Sequence, residues 1–155
     1  MPSEFHYRRR VTFAETDMAG ICHFSNFFRY MEECEHAFFR SFGQRVHDPA
    51  GGDDLIGWAR GHAECTYVRP LRYEDEVEIQ LFVKEKRRKS LRYAFAMKKL
   101  VDGVPDELVA TGEVVAVCCA KPPGEERMRA VEMPAAIDEL VVEAEADAIA
   151  AALER

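Results

Sequence analysis

The chain has 155 residues, of which 48% are hydrophobic and 32% charged, enough for one domain with a core and too apolar for wholesale disorder. Its formal charge of -7 disfavours nonspecific nucleic-acid binding, because a phosphate backbone rewards basic surfaces. No apolar run approaches the roughly 20 residues that cross a bilayer, and the N-terminal MPSEFHYRRR lacks the apolar core of a signal peptide, so the expectation is a cytoplasmic protein without membrane contact.

In residues 5–13, Phe5, Tyr7, Arg9, Val11 and Phe13 alternate with polar or basic neighbours, the pattern of a half-buried strand. The period changes over residues 24–42. There Phe24, Phe27, Phe28, Met31, Cys34, Phe38 and Phe42 form one stripe of an amphipathic helix of about five turns. Ser25 and Asn26 are its candidate caps and Gly43 its stop. Residues 47–54, HDPAGGDD, form a loop.

Only strands follow. Residues 55–68 are mixed in pattern, and RPLRYEDEV makes a turn. Val77, Ile79, Leu81 and Val83 alternate strictly, as do Leu91, Tyr93, Phe95 and Met97. KEKRRKS connects these two strands, VDGVPDE supplies a second hairpin turn, and residues 108–120 make an apolar strand that KPPGEERMR closes. The order predicts an α+β fold, one long central helix wrapped by a curved antiparallel sheet, over residues 1–141. Residues 142–155 are an acidic helical or frayed tail without chemistry. Five cysteines, Cys22, Cys34, Cys65, Cys118 and Cys119, have no C-x-x-C spacing, which implies reduced thiols and no metal site.

Four stretches in order carry a family resemblance: ETDMAG at 15–20 followed by FSNFFRY, then YVRPLRYEDEV, KEKRRKS, and RMRAVEMP at 127–134. With them the chain resembles the hotdog-fold acyl-CoA thioesterases, most closely the 4-hydroxybenzoyl-CoA thioesterase branch, from about residue 5 to residue 134. The resemblance implies thioester hydrolysis with coenzyme A as part of the substrate, no further cofactor, and homodimers or homotetramers with the site at a subunit interface. Exposed sheet edges make such association physically reasonable.

By that resemblance the catalytic carboxylate falls on Asp17 and the oxyanion donor on the backbone N–H of Phe24. The chemistry agrees: free N–H groups at a helix start stabilise the developing oxyanion, while a carboxylate attacks the carbonyl or deprotonates a water. A plain structural use of Asp17 is an Asx turn. Gly20 lets the backbone turn tightly near the acyl group. Glu15 is expected as a solvated strand-end charge, or else as a group that orients or perturbs Asp17. His23 adjoins Cys22, but neighbours in an extended segment point apart, so His23 lines the pocket or serves structure.

Arg87, Arg88 and Lys89, with Ser90 adding a hydrogen bond, would hold the phosphates of coenzyme A, or else form a solvated hairpin end. Glu32 either faces the acyl pocket across a subunit interface or pairs with Arg29 or His36. Glu35 falls inside the aromatic stripe and needs a buried partner or a pocket. Trp58 and the loop around Asp53 border the acyl chamber or simply pack. The aromatic residues suit an aromatic acyl group and a short or medium alkyl chain alike. Two rival functions are a hotdog hydratase or dehydratase, which needs a histidine paired with an acid, and a module that binds acyl-CoA or an acyl-carrier protein without turnover.

Overall fold

The structure, a computed structural model, describes residues 1–47 and 56–154. Apart from His47, the loop expected at 47–54, with Asp53, lies outside the described residues. Strand β1 (Glu4–Arg10) is followed by a 3-10 turn at Phe13–Glu15 and helix α1 (Asn26–Ser41). Strands β2 (Ile56–Tyr67), β3 (Glu76–Lys86), β4 (Ser90–Val101), β5 (Val104–Ala120) and β6 (Arg129–Ala130) come next, then short helices α2 (Ala135–Asp138) and α3 (Ala146–Leu153). The strands form one antiparallel sheet in the order β1-β3-β4-β5-β2. β6 pairs with the last two residues of β5, beyond the start of β4.

The first strand ends before the expected Phe13. Thr12 donates its backbone N–H to Glu15 Oε1 at 2.8 Å, which turns the chain and leaves Phe13 exposed. Helix α1 begins at Asn26 rather than 24, and neither candidate cap caps it: the Ser25 hydroxyl bonds His23 Nδ1 at 2.7 Å, and Asn26 Nδ2 donates to the Glu15 carbonyl at 2.9 Å. Gly43 does stop it, in the left-handed region at φ +77°. The buried stripe of α1 is Phe27, Tyr30, Met31, Cys34, Glu35, Phe38 and Phe39, rotated from the expected one so that Phe28 and Phe42 lie partly buried at its margin, and Phe24 stays outside the helix, 61% exposed.

Val77, Ile79, Leu81 and Val83 of β3 and Leu91, Tyr93, Phe95 and Met97 of β4 are fully or almost fully buried with this helix, as their alternation predicts. Their neighbours Phe82, Ala94 and Ala96 are buried too, on the other face, where Ile149 and Ala152 of α3 cover them together with Leu108. The C-terminal segment is therefore a packed helix and not a frayed end. The hairpin between β4 and β5 turns on Asp102 and Gly103, both at positive φ, the two-residue geometry that suits strand twist.

The mixed pattern of residues 55–68 has a physical cause. The register of β2 against β5 slips between Arg60 and His62, so Trp58 and Arg60 face α1 before the bulge and Ala63 and Cys65 after it. β2 is also an edge of the sheet, with no strand beyond it among the described residues.

Candidate active site

Asp17 sits in a tight loop between β1 and α1. Thr16 and Cys22 pair across its base, the Asp17 N–H donates to the Ile21 carbonyl at 2.9 Å, and the Gly20 N–H donates to the Asp17 carbonyl at 2.9 Å. Gly20 takes φ +77°, which a side chain would strain. Asp17 Oδ1 accepts the Ala19 N–H at 2.8 Å, an Asx turn. The other carboxylate oxygen has no hydrogen-bond partner among the described residues. The structural use of Asp17 thus coexists with a half-buried position on the wall of a pocket.

That pocket has a volume of about 450 Å³, and Asp17 shares it with Cys22, Phe24, Phe27, Tyr67 and Arg69. Phe27 meets the Tyr67 ring edge-on at 5.1 Å, and the Tyr67 hydroxyl donates to the Phe24 carbonyl at 3.0 Å, fixing the turn before α1. Burial pushes the Tyr67 phenol up to about 12, so it stays a donor at neutral pH. Of the N–H groups at the start of the helix, those of Asn26 and Phe27 donate to the His23 and Phe24 carbonyls and that of Ser25 to His23 Nδ1. The Phe24 N–H has no acceptor among the described residues. An N–H left over at a helix start is suited to an anion.

Several expected site residues stand elsewhere. His23 is not among the residues lining the pocket; its ring lies 4.5 Å from that of Phe24 and bonds Ser25. No acid pairs with it among the described residues, so the histidine-acid couple of a hydratase is missing at this loop. Cys22 is not its partner either: the Cys22 thiol lies 3.3 Å from the Tyr30 hydroxyl, and burial pushes its pKa up, away from the thiolate. Glu15 is not a solvated charge but ion-paired with Arg9 at 2.6 Å.

Glu32 and Glu35 line a second cavity, of about 140 Å³, with Phe28, Arg60, Ala63 and Phe95. Arg60 lies 3.8 Å from Glu32 and in contact with Glu35, replacing the expected partners Arg29 and His36. Trp58 packs edge-on against Phe39 at 5.6 Å, inside the core.

The basic turn lies at the far end of the sheet. Ser90 is opposite Val117, while Tyr67 of the pocket is opposite Ala110, itself opposite Met97. The seven residue steps from Ser90 to Met97 span about 23 Å of strand. Within one protomer, Arg87, Arg88 and Lys89 therefore do not reach the Asp17 pocket. Arg87 pairs with Glu85 at 2.8 Å and Arg88 with Glu132, both as exposed, exchangeable pairs. The pocket's own cation, Arg69, and its phenol, Tyr67, were not anticipated. The only sequence signal for them was their place beside Pro70, within the YVRP turn.

The family of thioesterase-like superfamily proteins matches residues 11–141 of this sequence, spanning the loop, helix α1 and the whole sheet beyond β1. The chain belongs to the thioesterase-like superfamily. It is a thioester hydrolase of hotdog fold. An esterase-like protein of Aquifex aeolicus (strain VF5) is 39% identical over 98 residues, 61% of this chain and 73% of its own. The 4-hydroxybenzoyl-CoA thioesterase of Pseudomonas sp. (strain CBS-3) is 27% identical over 138 residues, 86% of this chain and 94% of its own. The solved structure of 4-hydroxybenzoyl-CoA thioesterase from that strain superposes with a TM-score of 0.73 at 25% identity, covering 86% of this chain and 96% of the other. Among the described residues no helix of this thioesterase is long and apolar enough to cross a membrane.

Proposed function

We propose that the protein hydrolyses aromatic acyl-CoA thioesters, with Asp17 as the reacting carboxylate and the Phe24 N–H as oxyanion donor. The observation that carries this reading is the shared pocket wall: one carboxylate with an uncommitted oxygen and one N–H without an acceptor, flanked by Phe24, Phe27 and Tyr67. As the thioester carbonyl becomes tetrahedral, its oxygen takes the Phe24 N–H. Asp17 either adds to the carbonyl carbon, forming an anhydride that water then opens, or takes a proton from the water that adds. In both routes the coenzyme A thiolate leaves and the acid product carries one oxygen from water. The choice of an aromatic acyl group rests on the 4-hydroxybenzoyl-CoA substrate in the name of the Pseudomonas relative, and the aromatic wall accommodates it.

The basic turn enters through assembly. If the free edge of β2 pairs antiparallel with that of a second copy, the Tyr67 end of one strand lies beside the Ile56 end of the other. Ala59 is opposite Val117, which is opposite Ser90, so the partner's Arg87–Lys89 turn comes to the Asp17 pocket. A homodimer would then complete each site with the other protomer's phosphate clamp.

The experiment is thiol release from a panel of benzoyl-, hydroxybenzoyl- and alkanoyl-CoAs by the protein and by Asp17→Asn. The expected outcome is aromatic preference and a loss on the order of 1,000-fold or more in the folded variant. Equal hydrolysis by both proteins would reject Asp17. Binding of the panel without turnover by either would put the non-catalytic module in front.

A further inference from the structure

Arg9 of β1 lies outside the residues that the family comparison matches, yet its guanidinium joins Glu15, at the start of the Asp17 loop, to Glu33 and Tyr30 of α1. Its side chain is only 14% exposed. Nη2 donates to both carboxylate oxygens of Glu15, at 2.6 and 2.7 Å, and Nη1 to both of Glu33 on α1, at 2.6 and 2.7 Å. Its central carbon stands 4.1 Å over the Tyr30 ring, also on α1. Both ends of the loop are tied to these partners. Glu15 begins it, and its carbonyl accepts from the His23 N–H at 2.8 Å and from Asn26 Nδ2 at 2.9 Å. Cys22 ends it, in contact with the Tyr30 hydroxyl.

We propose that Arg9 is the positioning residue for the reaction, clamping Glu15 to Glu33 so that Asp17 and the Phe24 N–H keep their relative placement against α1. This rests on the reading of Asp17 given above. A guanidinium suits the task because its fork bonds two carboxylates at once in a fixed plane, which an ammonium does not. Without it, the mostly buried Glu15 and the partly exposed Glu33 become two like charges that have lost their shared counter-charge, and they loosen the loop from the helix. Burial alone would raise the Glu15 pKa, but the Thr12 N–H and Arg9 outweigh it and hold it below the usual carboxylate value, so Glu15 is ionised throughout the neutral range. Arg9 touches neither pocket nor substrate, so its effect passes through the loop.

The test compares the intact protein, Arg9→Met, Arg9→Lys and Asp17→Asn. Steady-state kinetics on 4-hydroxybenzoyl-CoA are paired with amide hydrogen exchange of the same samples. The expected result for Arg9→Met is a kcat lower by on the order of 100-fold, the usual cost of a misplacement of about 1 Å, with KM changed by less than about threefold. The amides of Asp17 and His23 exchange faster while those of β3 and β4 stay protected. Arg9→Lys keeps the charge and the fold but regains only part of kcat. A folded Arg9→Met protein with the original kcat overturns the proposal, and so does exchange that rises equally across the sheet, which would mark Arg9 as a general stabiliser. Full activity in Asp17→Asn would reject the acid assignment, and loop exchange in Arg9→Met would still decide the clamp.

Discussion

Glu35 is the least expected side chain of helix α1, a carboxylate 1% exposed among Phe28, Met31 and Phe95. Its position in the helical stripe announced that it needs a partner, but the partner's identity depends on a bulge that no local pattern reveals. Arg60 of β2 meets one oxygen, while Oε1 and the nearby Tyr93 hydroxyl are buried without hydrogen bonds among the described residues. Removing one partner of such a pair costs far more than removing both, because the survivor keeps its desolvation without its counter-charge. Arg60→Met should lower the unfolding free energy by about 3 kcal/mol, and Arg60→Met/Glu35→Met should recover most of it, as measured by urea denaturation. Equal losses in the single and double variants would show that the packing around Arg60 matters and the charge pair does not.

At the scale of elements, close approach decides where helix and sheet can meet. Gly112 of β5 lies under Met31: a Cβ there would stand 2.5 Å from the Met31 sulfur and 3.1 Å from the Glu64 carbonyl oxygen. The methionine can bend away and the backbone oxygen cannot. Gly112→Ala should therefore destabilise by about 1–2 kcal/mol, and adding Met31→Ala should remove the sulfur clash but not the backbone one. A thermal melt unchanged in Gly112→Ala would mean that the helix rides higher on the sheet than these contacts imply. The alternation of β3 and β4 and the long aromatic helix were legible because each follows from one period in one segment. The burial of Phe82, Ala94 and Ala96 was not, because their cover arrives from α3 more than 50 residues later. The pairing of Arg9 with Glu15 and Glu33 was not legible for the same reason: a salt bridge between loop, strand and helix has no sequence period.

At the scale of the whole molecule, the separation of Asp17 from the basic turn becomes a prediction about assembly. The ETDMAG loop and the KEKRRKS turn are both legible as motifs, yet one protomer holds them at opposite ends of a sheet. If antiparallel pairing of β2 edges unites them, each site of a dimer takes Asp17 from one chain and Arg87 and Arg88 from the other. Subunit mixing tests this without any knowledge of the acyl group. Asp17→Asn alone should be inactive, and Arg87→Gln/Arg88→Gln alone should show a raised KM for acyl-CoA with kcat largely kept, since the lost contacts bind phosphate in ground and transition state alike. Unfolding and refolding the two variants together in equal amounts gives mixed dimers in which one site carries both defects and the other carries neither. About one site in four of the mixture should then hydrolyse with the original KM. If the turn instead serves its own protomer, every site in the mixture keeps one defect, and no low-KM activity appears however long the subunits exchange. Sedimentation of the same samples supplies the control, because the gain requires a dimer and must vanish under dilution into monomers.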